Sequence, residues 1–362
     1  MIRTFHSIGQ GAFYTEEFDG FTVVYDCGSD NNIPLIEKEI RGIFEQNQKI
    51  DAVFISHLHA DHVNGLAYLL GYCNVKKVFL PLINENVRLN LHVYNALENR
   101  LELPIIQSIL DLGENQTSIG DTQFIFVPET GDESQPEILG EATDFDTVNS
   151  KNVFQNPKIG LPSFSKWVFI PFNFRNQSRS NDLKNRLIAN NLDFDSIEEF
   201  ESLWNDADKR VLLREIYNSI PGSLNANSLT LYSGPEIKAG GHFFYRYIPF
   251  SHRHYFGHLT GGLYFGDYEA KGTQKWNQFI NHYKDFWDLV GTVQIPHHGS
   301  RHNYNREINL NYPKLSIISA GYSNCHRHPH SSTVRDIIKD GGLPIMITER
   351  TGSRLIYEII EI

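Results

Sequence analysis

Cysteine is scarce in this chain: Cys27, Cys73 and Cys325 are the only three among 362 residues. They form no CxxC pair and no evident framework, which argues against a disulfide scaffold and makes a reducing compartment the simplest home. Long apolar runs are missing as well. No stretch approaches the roughly 20 residues needed to span a bilayer, and Met1-Ile2-Arg3-Thr4-Phe5-His6 lacks the apolar core of a signal peptide. The expectation is a cytoplasmic protein with no membrane partner. Basic charge is in deficit too, with 32 Lys and Arg against 43 Asp and Glu for a formal charge of -11. That balance argues against a broad electrostatic surface for nucleic acid, so any phosphate substrate is expected to be recognised at a local site.

What the chain does have is a core and one dense ligand cluster. Hydrophobic residues at 40% and aromatics at 12% suffice for a large interior, and the length suits an α/β fold carrying an insertion. Asp51-Ala52-Val53-Phe54-Ile55-Ser56 reads as a buried strand, followed at once by His57-Leu58-His59-Ala60-Asp61-His62. Open α/β sheets keep their chemistry at such strand ends. In extended backbone, His57, His59 and Asp61 fall on one side with His62 beside them. Imidazole and carboxylate without thiolate suit catalytic zinc, manganese or iron better than a closed structural site.

The rest of the chain alternates strands and helices at both ends. Two strands are expected within residues 2–28, ending at Asp26-Cys27-Gly28, then helices over Pro34 to Asn47 and Val63 to Tyr72. A strand over Lys76 to Leu82 and a helix over Val87 to Leu101 follow. From about 131 to 222 the alternation stops. This interval reads as an insertion, with helical patterns near 181–190, 196–204 and 207–220, able to lid a site. Its aromatic run from Trp167 to Phe174 could stack bases with help from Arg175 and Arg179, or could be a core strand. Strands resume at Asn225 to Leu231, and three later ones end in chemistry-bearing residues. They lead to Gly266-Asp267, to Pro296-His297-His298-Gly299-Ser300 and to His326-Arg327-His328-Pro329-His330.

The His57-x-His59-x-Asp61-His62 pattern resembles the metal motif of the metallo-β-lactamase superfamily. With Ile8-Gly9-Gln10-Gly11, Asp26-Cys27-Gly28, Asn227-Ser228-Leu229, Gly266-Asp267, the Pro296 to Ser300 element and His328-Pro329, the chain is similar to one branch, the hydrolase domain of the ComEC competence proteins and its soluble relatives. The resemblance implies an α/β fold, a four-layer αββα sandwich, with residues 1–130 as its first half, 131–222 inserted and 223–362 as its second half. It implies two divalent metal ions, zinc foremost and manganese or iron as alternatives. His57 and His59 would hold one, Asp61 and His62 the other, with Asp267 bridging, His328 completing the second and Asp26 supporting the loop. His297 would complete the first with His298 as an outer or phosphate contact, or the reverse, and His252, His254 and His258 compete for that place.

The implied function is a metal-dependent phosphodiesterase or nuclease in which a hydroxide shared by the two ions attacks a phosphodiester or nucleotide substrate. Asp61 would orient the nucleophile, His298, Ser300 or Arg301 would contact the phosphate, and His330 would protonate the leaving oxygen. The same chemistry on a carbonyl, of a lactone, thioester or amide, is the alternative.

Overall fold

The computed structural model describes residues 1–30, 33–82, 93, 96–97, 104–110, 112, 117–130, 140–149, 157–161, 166–174, 178–194, 197–220, 228–236, 243–248, 259–310, 314–322 and 324–361. The helix expected over Val87 to Leu101, Asn225 to Asn227, Arg175, the Arg179 side chain, and His242, His252, His254 and His258 lie mostly or wholly outside them.

The first half runs β1 (Ile2–Phe5), β2 (Gly11–Phe18), β3 (Phe21–Ser29), α1 (Ile33–Ile43), β4 (Lys49–Phe54), α2 (Ala60–Val63), α3 (Leu66–Tyr72), β5 (Asn74–Pro81), α4 (Pro104–Leu110), β6 (Ser118–Ile119) and β7 (Thr122–Val127). Then come β8 (Glu129–Thr130), β9 (Thr143–Asp144), β10 (Ile159–Leu161), β11 (Trp167–Phe174), α5 (Ser178–Ala189), α6 (Ile197–Asn205) and α7 (Ala207–Ser219). The chain closes with β12 (Thr230–Pro235), β13 (Phe243–Ile248), β14 (Gly261–Tyr264), α8 (Thr273–Tyr283), β15 (Val290–Gln294), β16 (Leu315–Ser319), α9 (Ser331–Lys339), β17 (Leu343–Ile347) and β18 (Leu355–Glu361).

Two mixed sheets result, in the orders β13-β18-β1-β2-β3-β4-β5-β7-β6 and β17-β16-β15-β14-β12-β11-β10-β9. Their facing sides share one core, in which Phe5, Tyr14, Tyr25, Phe54 and Phe79 meet Trp167, Phe169, Leu231, Tyr264 and Ile317. The outer face of the first sheet is covered by α1, α3 and α4 through Ile36, Ile40, Leu66, Leu69, Ile105 and Ile109. Trp276, Phe279 and Tyr283 of α8, at helical spacing, and Ile337 of α9 cover the second. With both faces covered, strands such as β3 and β11 are buried at every residue and read as nearly continuous apolar runs.

The interval expected as one insertion divides in two. Trp167 to Phe174 is a strand of the second sheet, paired with β12 from Trp167↔Pro235 to Phe172↔Thr230, and its aromatic rings are buried on both faces. They are core, and no base can stack on them. Helices α5 to α7 instead gather a separate core of Leu183, Leu187, Phe200, Leu213, Ile216 and Tyr217, joined by Val93 and Ala96. Asp206 caps α7 by accepting from the backbone N–H groups of Asp208 and Lys209. Among the described residues, no helix is long and apolar enough to cross a membrane.

Candidate metal centre

The site gathers at the C-terminal ends of β4, β14, β15 and β16, and it starts from a bulge. In β3, Tyr14 pairs with Tyr25 and Phe13 with Cys27, leaving Asp26 as an extra residue at φ 55°. The bulge flips strand parity, so Tyr25 faces the core between the sheets while Cys27 faces the helices. It also re-aims Asp26, whose carboxylate is fully buried. Asp26 accepts from the Ser56 backbone N–H at 2.6 Å, from Ser56 Oγ at 2.7 Å and from His62 Nδ1 at 2.7 Å. Gly28 lets the loop lie flush on this strand, since a Cβ there would stand 2.5 Å from His62 N.

Five of the imidazoles, those of His57, His62, His297, His298 and His328, are oriented through Nδ1, which leaves Nε2 to face inward. His57 Nδ1 lies 2.9 Å from Ser56 Oγ, His298 Nδ1 2.8 Å from the Ser319 carbonyl, and His328 Nδ1 3.0 Å from the His297 carbonyl. His297 Nδ1 donates to Asn303 Oδ1 at 3.1 Å, while Asn303 Nδ2 donates to the Asp267 carbonyl at 2.9 Å. Gln294 shapes the turn that presents Asp267, accepting from the backbone N–H groups of Phe265 and Gly266. His297, His298 and Gly299 all have left-handed φ, at 47°, 53° and 82°. Three such residues in a row make a strained turn, of the kind that surrounding structure holds at functional sites.

Three groups of donors lie close enough to hold an ion: His57, His59 and Asp61; His57, His62 and Asp267; and Asp61, His62 and His298. Asp267 touches both sides of the cluster. Its Oδ1 is 3.2 Å from His62 Nε2 and 3.8 Å from His298 Nε2, and its Oδ2 is 3.7 Å from His57 Nε2 and 3.6 Å from His297 Nε2. Asp61 Oδ2 is 3.1 Å from His298 Nε2 and 3.7 Å from His62 Nε2. His328 stands beside them, its ring 5.4 Å from that of His297 and 6.3 Å from that of His298. His330 caps α9, its Nδ1 accepting from the Ser332 backbone N–H at 3.2 Å.

The chemistry of this donor set fits divalent cations. Among the described residues, the buried Nε2 atoms of His57 and His62 have no hydrogen-bond partner, an arrangement that costs free energy unless something else engages them. Three buried carboxylates, Asp26, Asp61 and Asp267, lie among these imidazoles. Burial disfavours a charged His62, yet Asp61, Asp267 and Asp26 outweigh it and raise this imidazole well above its ordinary value. Burial likewise opposes ionisation of Asp61, yet His62 and His298 hold its carboxyl far below the usual range. His328 is the opposite case, lowered by burial and by His298 and His297 to about 4, and so is neutral at physiological pH.

Ser56, Gln294, Asn303 and Asn324 were not singled out from the sequence as site residues, for they have no motif of their own. Their one signal is position, a polar residue at the last turn of a buried strand or within two turns of a ligand candidate.

A four-layer αββα sandwich with imidazoles and carboxylates converging at one strand-end rim defines a metallo-β-lactamase-fold protein. Residues 13–124, about a third of the chain, match the family model described as the metallo-beta-lactamase superfamily. Among curated proteins it is similar to ribonuclease J of Mycoplasma genitalium, 32% identical over 76 residues covering 19% of this chain and 13% of that protein. It is also similar to ribonuclease Z of Methanococcus aeolicus, 32% identical over 87 residues covering 24% of each. The matched segment thus spans a quarter or less of either relative. Among solved structures, human tRNase Z, short form, aligns over 97% of this chain and 94% of its own at 11% identity and a TM-score of 0.39.

Asp26→Asn tests the support behind the candidate ligands. It keeps the shape and an acceptor for the Ser56 N–H but removes the charge facing His62 Nδ1. Cation affinity, read by competition with a chromophoric chelator, is expected to fall about 10- to 100-fold with the fold intact. Unchanged affinity would show that Asp26 merely caps the loop.

Proposed function

We propose that the protein is a metal-dependent hydrolase of phosphodiesters, a phosphodiesterase or nuclease. The observation that carries this reading is the division of Asp267, one oxygen toward His62 and His298 and the other toward His57 and His297. A carboxylate so placed suits two neighbouring cations. His57, His59 and His297 would hold one, and Asp61, His62 and His298 the other, with His328 at their edge. Imidazole and carboxylate donors favour zinc, with manganese or iron as alternatives.

Cations held there supply a nucleophile at neutral pH from bound water and neutralise charge on the phosphoryl oxygens. The chain's own residues supply the rest. Asp61 lies on the accessible side of the cluster, its side chain 12% exposed, and orients the attacking water. Ser300 and Arg301, which follow the two imidazoles after Gly299, meet the non-bridging oxygen. His330, held at the start of α9 by its Nδ1 contact with the Ser332 backbone N–H, is the proposed proton donor to the leaving oxygen.

The ribonuclease names of the partial relatives agree with this reading. The Pro296 to Ser300 element supports a placement beside the ComEC-type hydrolase domains, and the free thiols of Cys27, Cys73 and Cys325 support a cytoplasmic home. The test is a panel of single-stranded RNA and DNA, cyclic dinucleotides, a base-free phosphodiester and a lactone. Phosphodiester cleavage that a chelator abolishes and zinc or manganese restores is the expected result. Cleavage of the lactone with every phosphodiester left intact would overturn the reading.

A further inference from the structure

Among the residues whose side chains are described, Tyr322 is the one exposed Phe, Trp or Tyr, at 73% exposure. Where every other aromatic whose side chain is described is buried or partly covered, such a ring needs a reason. Its position supplies one. Tyr322 lies three residues beyond Ser319, whose carbonyl receives the His298 Nδ1 hydrogen bond, and six before His328. Three residues reach at most about 11 Å, so the Tyr322 backbone lies within that distance of Ser319, the residue that orients His298.

The loop that carries it is clamped. Asn324 Nδ2 donates to the carbonyls of Gly321 and His328, each at 2.7 Å, and Asn324 Oδ1 accepts from the His328 N–H at 2.8 Å. The Tyr322 N–H donates to Glu349 Oε2 at 2.9 Å. The guanidinium of Arg350 lies 4.6 Å over the Tyr322 ring. The 348–353 turn behind Arg350 is held in turn by Ser353 Oγ, which accepts from the Thr348 N–H at 2.8 Å and donates to the Arg350 carbonyl at 2.7 Å. One face of the tyrosine is therefore stacked on the Arg350 guanidinium, carried by a held turn, and its high exposure leaves the other face open. Arg327 and Arg350, both exposed, add positive charge at this rim of an acidic protein.

We infer that Tyr322, backed by Arg350, is a stacking platform for a nucleobase next to the scissile phosphodiester, which makes single-stranded nucleic acid the substrate class. A ring whose backbone is held by Glu349 and whose one face already packs on a guanidinium keeps the other face for a base, and aromatic stacking tolerates any base. The inference rests on the phosphodiester reading of the metal centre and narrows its substrate. It also explains how an acidic chain without a broad basic surface could hold nucleic acid: by a few contacts at one rim.

The test is equilibrium binding of a fluorescent single-stranded phosphorothioate hexanucleotide to the zinc-loaded protein at fixed salt. An abasic hexamer of the same backbone serves as the comparison. Tyr322→Ala is expected to weaken binding of the hexanucleotide about 5- to 100-fold and to leave the abasic hexamer unaffected, while Tyr322→Trp restores the loss. Equal binding of both oligomers by the wild type, or an unaltered affinity in Tyr322→Ala, would overturn the inference. So would a loss of equal size for the abasic hexamer. Binding is read without turnover, so a failure of hydrolysis in the substrate panel would remain distinguishable from a failure here.

Discussion

Asp267→Asn is expected to keep its fold, to lose at least one of two bound cations and to lose roughly 10³-fold in turnover. The carboxylate is buried at 2% exposure and is nearly isosteric with the amide that replaces it. Its backbone N–H donates to Ser228 Oγ and its carbonyl accepts from Asn303 Nδ2, so the turn holds whichever side chain is present. What changes is charge, since one oxygen becomes an NH₂ group that cannot ligate a cation and the negative charge between the imidazole sets disappears. Cation stabilisation of a phosphoryl transition state amounts to several kcal/mol, and about 1.4 kcal/mol corresponds to a decade in rate. Elemental analysis of purified protein, with kcat on the best substrate of the panel, reads both effects. Two cations and wild-type turnover in Asp267→Asn would remove the shared carboxylate from the scheme.

The site was legible where its donors are adjacent in sequence and illegible where geometry, not spacing, selects them. His57, His59, Asp61 and His62 stand together because the chain leaves a buried strand and turns at once into α2, and that change of period is visible in the residues. The choice between His297 and His298 is not visible. Both sit at left-handed φ in one tight turn, where the alternation of an extended strand no longer says which way a side chain points. The structure sets His298 with Asp61 and His62, and His297 toward Asp267 Oδ2. The aromatic strand at 167–174 was ambiguous for a related reason. A strand buried on both faces has no polar alternation to mark it, and this one is flanked by polar, loop-like sequence. Tyr322 carried no signal at all, because exposure is a property of the folded rim. Helix α1 was legible from the apolar spacing of Ile36 and Ile40, whereas α8, whose Trp276, Phe279 and Tyr283 cover the second sheet, was not read from the sequence.

Arg3→Met is expected to be the most destabilising single change in the sandwich, for reasons remote from the metal centre. Arg3 is fully buried between the sheets, its Nε donating to Glu16 Oε1 at 2.7 Å. One terminal nitrogen donates to Tyr357 Oη at 2.8 Å and to the Thr260 carbonyl at 3.2 Å, and the other to the Ser233 carbonyl at 3.2 Å. The guanidinium lies 5.7 to 6.0 Å from the ring centroids of Trp167, Tyr264 and Tyr357. Glu16 is satisfied in turn by Tyr264 Oη at 2.6 Å and by Ser233 Oγ. Arg3 and Glu16 belong to the first sheet, Ser233 and Tyr264 to the second, so the pair pins one sheet to the other. A Cβ on Gly262 would stand 2.7 Å from the Arg3 guanidinium carbon, which shows how closely the second sheet packs on it. Desolvating both ions offsets much of their attraction, so the pair as a whole contributes little net stability, but removing one partner strands the other and costs about 3–5 kcal/mol. Arg3→Met should therefore lower the urea midpoint sharply, and Arg3→Met with Glu16→Gln should recover a large part of the loss by removing the stranded charge. A double variant no more stable than Arg3→Met would mean that Arg3 acts through its stem and its aromatic neighbours, with Glu16 incidental to the joint between the sheets.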